Sequence, residues 1–352
     1  TLHPIAGQGF NLGLRDVATL AEVIADALAA GDDPGRDAVL ARYAGRRRWD
    51  QRTTIAFTDA LVRVFANPLA PVRLGGLTNR VYRLGDWCLR LPGQGTETYI
   101  DREVEATNAR SAAAAEVAPE VLFVDPASGI MLTRFLGSMT TMTPELFRTR
   151  RGAPERAGAV FRRLHASRQT FAFRFELFAM IDNYLQVLEG LGADLPDGYH
   201  DVVEEAGAVR TALAARPWPL APCHCDPLCE NFLDTGQRMW LVDWEYSGMN
   251  DPMWDLGDLA VEAGFDAAQE EALLRGYFGA EARPEDRGRM VIYKAMCDLL
   301  WTLWGLIQHA QRNPAEDFWA NATTRFERCK QLMGSATFAT HLAEVSRSRA
   351  AP

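Results

Sequence analysis

The sequence predicts an α+β protein in which a small β-rich lobe is followed by a larger, mostly helical lobe. Residues 68–93 alternate apolar and polar side chains around glycine-rich turns, which is typical of a β-hairpin. Beyond Gly137 apolar residues recur mainly at helical spacing, with loop and strand patterns near residues 222–247. A helix-forming stretch precedes both lobes. The expected domains are residues 1–66, 67–136 and 137–352.

Composition narrows the class of protein. The formal net charge of −9 argues against a nucleic-acid partner, which would need a basic face. Six cysteines in 352 residues are too few for a disulfide scaffold, so we expect a reducing, cytoplasmic location. No apolar run approaches the roughly 18 residues of a membrane span, and we expect no membrane partner. Composition predicts nothing about the oligomeric state.

The first stretch, "HPIAGQGFNLGLRDVATLAEVIADAL", predicts a glycine-rich turn leading into an amphipathic helix. Gly7, Gly9 and Asn11 are expected in the turn, where backbone amides could approach an anion at the start of the helix. Such a loop is weak evidence for a binding site by itself, and a plain turn and helix is an equal alternative.

The small lobe continues with elements that the sequence marks clearly. The stretch "YIDREVEATNARSAAAAEV" predicts an alanine-rich helix with charged positions. The stretches "EVLFVD" and "GIMLTRFL" predict two short strands, joined by the turn "PASG". The expected order in this lobe is therefore hairpin, helix, strand, turn and strand.

The segment "PCHCDPLCENFL", residues 222–233, admits two interpretations. Cys223, Cys225 and Cys229 surround His224, as at a metal centre. However, successive side chains of an extended segment point in alternating directions, and tetrahedral zinc sites usually draw on two separated pairs of ligands. The sequence offers no second pair. We therefore favour small buried thiols over a zinc site.

The same segment also has the spacing of a phosphotransfer loop, His-x-Asp-x-x-x-x-Asn. Asp226 is suited to accept the proton of an acceptor hydroxyl. Asn231 is followed by the apolar strand "RMWLVDWEY", which contains Asp243, and an amide oxygen with a second carboxylate is suited to hold Mg²⁺. The loop followed by strand and aspartate predicts a catalytic site.

Several stretches, taken together and in order, resemble the bacterial choline/ethanolamine kinase family, which is related to aminoglycoside phosphotransferases. They are "GGLTNRVYRL", "LRLPGQGTETYIDREVEATN", "CHCDPLCENFL", "LVDWEYSGMNDPMWDLGDLAVEAGF" and "KAMCDLLWTLWGLIQHA", within residues 68–335. The resemblance implies a protein-kinase-like two-lobed fold, ATP and Mg²⁺ as cofactors, and a small amino alcohol, choline or ethanolamine, as the acceptor.

On the nucleotide side, the resemblance implies that Gly75, Gly76 and Asn79 lie over the ATP phosphates. The small lobe contains no lysine, so Arg90 is expected to supply the cation that faces the phosphates, and Glu105, with Glu103 as the second choice, is expected to orient it. The segment "LTRFL", residues 132–136, is the expected hinge that holds adenine; its candidate residues are Thr133 and Phe135.

On the acceptor side, the resemblance implies a pocket of aromatic faces and carboxylates, which attract cations. Its candidate residues are Glu245, Tyr246, Glu262, Trp301 and Trp304. Without the resemblance, two tryptophans three residues apart on a helix would more often belong to a core. His224 and Asp255 are expected to support the catalytic loop.

Two departures from the family pattern stand out. Cys225, Pro227 and Cys229 replace the usual Asn, Leu and Pro of the catalytic loop, and Pro227 biases Asp226 away from the α region. Asn321 stands where an aromatic residue often lines the quaternary ammonium, which favours ethanolamine over choline. The alternatives are a kinase for an aminoglycoside or a thiamine-like hydroxyl, and a catalytically impaired pseudokinase.

The beginning of the chain resembles a different family, the ubiquinone-biosynthesis-type FAD-dependent hydroxylases, near their C-terminal end. The resemblance covers the opening stretch and "LARYAGRRRWDQRTTIAFTDALVRVFAN". The dinucleotide fingerprint of that family is absent from the sequence, and the part that would hold adenosine is missing with it. We therefore expect residues 1–66 to be a remnant or fusion appendix, and FAD is not expected as a cofactor.

Overall fold

The computed structural model describes residues 8–47, 71–75, 79–93 and 100–347. The chain forms two compact units, Thr1–Leu74 with Tyr82–Gly85 and Gly75–Val81 with Asp86–Pro352. The mixture of helices and a small sheet is the predicted α+β composition. The proposed boundaries at residues 66 and 136 remain a prediction.

The first unit contains helix α1, Gln8–Ala29, and helix α2, residues 37–47. The two helices share a small apolar cluster of Val23, Ala27 and Val39, against which Tyr43 packs. The expected helix is therefore present, but the expected turn is partly wrong. Gly9 and Asn11 lie inside the first turns of α1, and Gly7 lies outside the described residues.

The strands have the following bounds: β1 Val72–Gly75, β2 Arg80–Leu84, β3 Trp87–Leu91, β4 Val121–Asp125, β5 Ile130–Arg134, β6 Thr140–Thr141, β7 Ala221–Cys223, β8 Phe232–Asp234, β9 Met239–Leu241 and β10 Gly248–Asn250. In the second unit β5 pairs antiparallel with both β3 and β4. The predicted turn "PASG" joins β4 to β5, and its Gly129 has φ +68°, which an L-residue rarely adopts. The predicted strand–turn–strand is confirmed.

The helices of the second unit are α3 Arg102–Ala114, α4 Pro144–Thr149, α5 Ala153–His165, α6 Leu177–Leu191, α7 Tyr199–Ala215, α8 Met253–Glu262, α9 Ala267–Phe278, α10 Pro284–Ala310, α11 Phe318–Met333 and α12 Ala336–Ser346. Helix α3 begins where the side chain of Asp101 accepts hydrogen bonds from the amides of Glu103 and Val104. Its presence confirms the predicted alanine-rich helix.

Helix α10 is the centre of the helical core and packs against α6, α8, α11 and α12. By length and composition it is apolar enough to cross a membrane, and among the described residues it is the one helix that is. However, 89% of its most apolar window is buried inside the fold. Its apolar character is accounted for by burial in the core.

Two short hairpin-like pairs position the loops of the helical region. Strand β7 pairs antiparallel with β10, and β8 pairs with β9, so that Phe232 faces Leu241. The residues just before β8 and just after β9 are therefore neighbours, and the backbone amide of Val242 donates to the carbonyl of Asn231 at 3.0 Å. This pairing brings two separate stretches of the sequence to one place.

Helices α5 and α9 cross closely because glycine lies on each of them at the contact. A Cβ atom on Gly158 would lie 2.2 Å from the carbonyl oxygen of Leu273, and one on Gly276 would lie 2.2 Å from that of Glu155. Backbone atoms cannot move aside as a flexible side chain can. The crossing therefore depends on both glycines.

We expect Gly158→Ala to lower the free energy of unfolding by about 1–3 kcal/mol, because the added methyl group overpacks the helix crossing. Denaturant unfolding would measure the change. Gly207→Ala is the matched control, since Gly207 is exposed within α7 and its Cβ would meet nothing within 4 Å. There we expect a gain of about 0.5–1 kcal/mol from helix propensity. Equal stability of the two variants would contradict the crossing argument.

Candidate active site

The loop that follows β7 is held by hydrogen bonds to a buried carboxylate. The side chain of Asp255, in the first turn of α8, accepts hydrogen bonds at 2.8 Å from the backbone amides of both His224 and Cys225. Its Oδ2 also lies 3.0 Å from Nε2 of His165. The two residues immediately before Asp226 are thereby held in place, and the role of Asp255 in supporting catalysis stays a prediction.

His224 is fully buried and ties the loop to the neighbouring strand. Its Nε2 lies 2.9 Å from the carbonyl oxygen of Val242, and its ring lies 4.8 Å from that of Trp244. Because a carbonyl only accepts, Nε2 carries the proton. Burial lowers the pKa of His224, so the ring is neutral near pH 7. Its contacts are those of a structural residue.

The three cysteines of the segment, Cys223, Cys225 and Cys229, are all buried free thiols. Burial raises the pKa of each, which disfavours the thiolate that a metal requires. Within the described ranges, Cys223 lies near His165 and Asp255 in a set that could hold an ion. That histidine and carboxylate already hydrogen-bond one another, so the buried-thiol interpretation accounts for the cluster.

Asp226, Asn231 and Asp243 are brought together by the β8–β9 pair. Nδ2 of Asn231 donates to the carbonyl oxygen of Asp226 at 3.1 Å, which leaves the amide oxygen Oδ1 as its acceptor atom. Asp243 follows β9 with φ +68°. Its buried Oδ1 has no hydrogen-bond partner among the described residues and lies 3.5 Å from Nη1 of Arg90. The strand pair thus brings together two loops that carry an amide oxygen and a carboxylate oxygen, atom types that suit Mg²⁺.

The side chains of both aspartates have a pKa above the ordinary value. Burial, followed by the negative charge of Glu245, raises the pKa of Asp243 well above its ordinary value. Burial, followed by the carboxylates of Glu262 and Glu245, raises the pKa of Asp226 to about 7. A bound cation would favour the charged form of each. The site therefore has an excess of negative charge that suits a metal ion and a cationic ligand.

An ion-pair cluster joins β3, α3 and the loop after β9. Arg90 contacts Glu105, the pairing that the sequence predicted. Nη1 of Arg102 lies 2.7 Å from both Glu105 Oε2 and Glu245 Oε1. Asn79 donates to the same Glu245 oxygen at 3.1 Å. Glu245, predicted on the acceptor side, thus makes its contacts with residues predicted on the phosphate side.

Arg90 is a cation close to the candidate metal ligand Asp243, at 3.5 Å. Burial alone would lower the pKa of its guanidinium, but Glu105, Asp243 and Glu245 raise it on balance. Nη2 donates to the carbonyl oxygen of Gly129 at 3.3 Å. The side chain is held at several points and permanently charged, as a phosphate-binding group needs to be.

The structure describes only some of the other residues that were predicted to contact the nucleotide. Gly75 ends β1, while Gly76 lies outside the described residues. Thr133 lies on β5 opposite Cys88 of β3. The amide of Phe135 donates to the carbonyl oxygen of Asp86 at 2.8 Å. Adenine could accept a hydrogen bond from this amide only if the amide first gave up its bond to Asp86.

The predicted aromatic residues divide into two groups. Tyr246 and Trp301 meet edge to face with ring centroids 5.4 Å apart, and Nε1 of Trp301 donates to Oδ2 of Asp258 at 3.3 Å. Trp304 packs against Phe318 instead, at 5.7 Å. Trp301 is therefore tied to a buried carboxylate, and Trp304 to the neighbouring helix α11.

Glu262, at the end of α8, is paired with a cation from α11. Its Oε1 lies 2.6 Å from Nη1 of Arg325, which is also 3.4 Å from Asp298. Nε of Arg325 donates to Oδ1 of Asn321 at 3.1 Å. The position where the family often carries an aromatic side chain thus holds the arginine that pairs with Glu262.

Comparison with known proteins shows the family and the fold of the chain. A model of the phosphotransferase enzyme family matches residues 69–290, more than half of the chain. A crystal structure of a choline/ethanolamine kinase family protein from Mesorhizobium loti is 62% identical, with a TM-score of 0.76, over 82% of this chain and 98% of that one. The chain belongs to the choline/ethanolamine kinase family. The predicted protein-kinase-like fold and the predicted family are both confirmed.

A second solved structure is more distant. It is the choline kinase LicA from Streptococcus pneumoniae, which is 25% identical with a TM-score of 0.65, over 79% of this chain and 98% of that one. The fold is thus retained in a relative with little sequence identity.

A short stretch is similar to another class of enzyme. Ubiquinone hydroxylase UbiL from Rhodospirillum rubrum is 56% identical over 73 residues, which is 21% of this chain and 17% of that protein. The predicted resemblance to ubiquinone-biosynthesis hydroxylases is confirmed for a short segment only. Because the match spans so little of the hydroxylase, its activity does not carry over to this chain.

Sequence reasoning missed three charged residues of the site: Arg102, Asp258 and Arg325. A local signal existed for two of them. Arg102 precedes Glu105 by three residues on one helix, and Asp258 lies between Asp255 and Glu262 at helical spacing. Arg325 lies far along the chain on α11, and no local pattern connects it to Glu262.

Proposed function

We propose that the chain transfers the γ-phosphoryl group of MgATP to the hydroxyl group of a small amino alcohol, choline or ethanolamine. The observation that carries the proposal is the juxtaposition of Asp226, Asn231 and an unsatisfied Asp243 carboxylate in a member of this kinase family. The excess of carboxylate on the acceptor side is consistent with a cationic amine.

In this mechanism Asp226 accepts the proton of the acceptor hydroxyl as its oxygen attacks phosphorus. Its pKa of about 7 allows the carboxylate to be present near neutral pH and still accept a proton. Asn231 and Asp243 would hold Mg²⁺, which neutralises charge on the phosphates. Arg90, fixed by Glu105, would stabilise the charge that develops on the transferred group.

The test is ADP release from MgATP with choline, with ethanolamine and with no acceptor. Turnover that depends on an amine supports the proposal and ranks the two amines. If ATP binds but neither amine raises ADP release, the proposal is wrong, and a different acceptor or a pseudokinase takes its place. Pro227, directly after Asp226, would then be the first position to restore to the leucine of the family pattern.

We expect Asn321→Tyr to raise kcat/KM for choline by about 3- to 10-fold relative to ethanolamine, because an added aromatic face attracts a quaternary ammonium. Steady-state kinetics with both amines would measure the ratio. Asn321→Ala separates the aromatic gain from the loss of the hydrogen bond to Arg325. An unchanged choline KM in Asn321→Tyr would mean that the position does not line the acceptor site.

A further inference from the structure

Helix α8 presents three carboxylates toward the site, and one of them has an unused oxygen. Asp255 holds the catalytic loop, and Glu262 is paired with Arg325. Asp258 is 1% exposed; its Oδ2 accepts from Trp301, and its buried Oδ1 has no hydrogen-bond partner in the part of the chain that the structure describes. A buried carboxylate oxygen without a hydrogen bond costs folding free energy, so we expect a hydrogen-bond donor to bind at this atom.

The surroundings of Asp258 contain more negative than positive charge. Burial, followed by the carboxylates of Glu262 and Asp226, raises its pKa well above the ordinary value, and Arg325 acts against this. Arg325 is itself shared between Glu262 and Asp298. A cationic ligand among these groups would supply the missing positive charge and favour the ionised form of Asp258.

We propose that Asp258 determines acceptor specificity: its free Oδ1 accepts a hydrogen bond from an N–H group of the acceptor's ammonium, so that primary amino alcohols are preferred to quaternary ones. The inference rests on the proposed function and names its substrate class. Trp301 holds the carboxylate through Oδ2, which leaves Oδ1 as the oxygen that a ligand can reach, and the carboxylate interacts electrostatically with Asp226 and Glu262.

The preference follows from the chemistry of the two kinds of ammonium. A primary ammonium carries three N–H donors, and a charge-assisted hydrogen bond to a carboxylate is among the strongest that proteins make. A quaternary ammonium carries none and interacts through charge and aromatic faces alone. Binding a quaternary ammonium would leave Oδ1 of Asp258 without a hydrogen-bond donor. A site built to form a hydrogen bond discriminates against a ligand that lacks the donor.

A second observation points the same way. The position at which the family often carries an aromatic wall is Asn321, and its side chain holds Arg325 rather than offering an aromatic face. Asn321 and Arg325 therefore make the part of α11 near Glu262 polar. A polar wall and an unsatisfied carboxylate both favour a small ammonium with hydrogens to donate.

The experiment compares wild type with Asp258→Asn, which keeps the size of the side chain and removes its charge. The acceptors are ethanolamine, its N-methyl and N,N-dimethyl derivatives, and choline, which carry progressively fewer N–H groups. We expect the wild type to prefer ethanolamine. In the variant, kcat/KM for ethanolamine should fall about 10- to 100-fold and that for choline by less than about threefold, with the KM for ATP unchanged.

The outcomes separate this inference from the proposed function. If both amines lose the same factor in Asp258→Asn, or neither changes, the inference is wrong while the kinase assignment stands. If the wild type phosphorylates none of the four amines, both fail. Should Asp258→Asn not fold, Trp301→Phe removes the anchor of Oδ2 but keeps an aromatic face, and an unchanged ratio of ethanolamine to choline kcat/KM would overturn the inference.

Discussion

Asp226→Asn is expected to lower kcat for the amine-dependent reaction by about 10²- to 10⁴-fold, the range for loss of a general base. The substitution keeps the shape of the side chain and removes its ability to take a proton. The backbone of Asp226 is held from both sides, by Asp255 through the two preceding amides and by Nδ2 of Asn231. The loop should therefore retain its conformation, and the KM for ATP should stay within about twofold of the wild type.

Single-turnover ADP release with saturating MgATP and amine would measure the effect on chemistry alone. Asp182→Asn is the matched control, because Asp182 is exposed on α6 and the same change of charge there should leave kcat unaltered. If Asp226→Asn retains most of its activity, the hydroxyl proton goes elsewhere. Asp226 would then only orient the acceptor, and the altered loop sequence around Pro227 would have changed the role of the residue.

The parts of the candidate site whose placement follows from the sequence are those defined by short segments. A two-strand pair places the residue before its first strand beside the residue after its second, which is why Asn231 contacts Val242, the residue before Asp243. Their adjacency therefore follows from local pattern. The same holds for β4, its turn and β5, where glycine at φ +68° closes the connection.

Contacts between distant segments could not be predicted in this way. Glu245 follows the predicted metal ligand by two residues, and its position in sequence gave no indication that it would pair with Arg102 of α3. Arg325 reaches Glu262 only because α11 packs along α10. The charge balance of the acceptor side depends on such packing, so its surplus of carboxylate became visible only in the structure.

Asp243→Asn is expected to lower kcat/KM by about 10²- to 10³-fold, comparable to removing one preorganised electrostatic contact from a transition state. Asn tolerates the positive φ of this position, so the backbone should not change. What is lost is the negative charge of a half-buried carboxylate whose Oδ1 has no hydrogen-bond partner within the described ranges. We expect the Mg²⁺ concentration for half-maximal activity to rise and added Mg²⁺ to restore part of the rate.

A binding measurement distinguishes a metal ligand from a residue that only holds Arg90, which lies 3.5 Å from Asp243. In the wild type, Mg²⁺ should tighten the binding of ADP, and in Asp243→Asn this effect should largely disappear. The binding of ADP without Mg²⁺ should change little. Asp226→Asn serves as the comparison, because there the Mg²⁺ effect on ADP binding should persist. If Mg²⁺ tightens ADP binding equally in Asp243→Asn and in the wild type, Asp243 is not a metal ligand, and its carboxylate acts on the phosphates through Arg90.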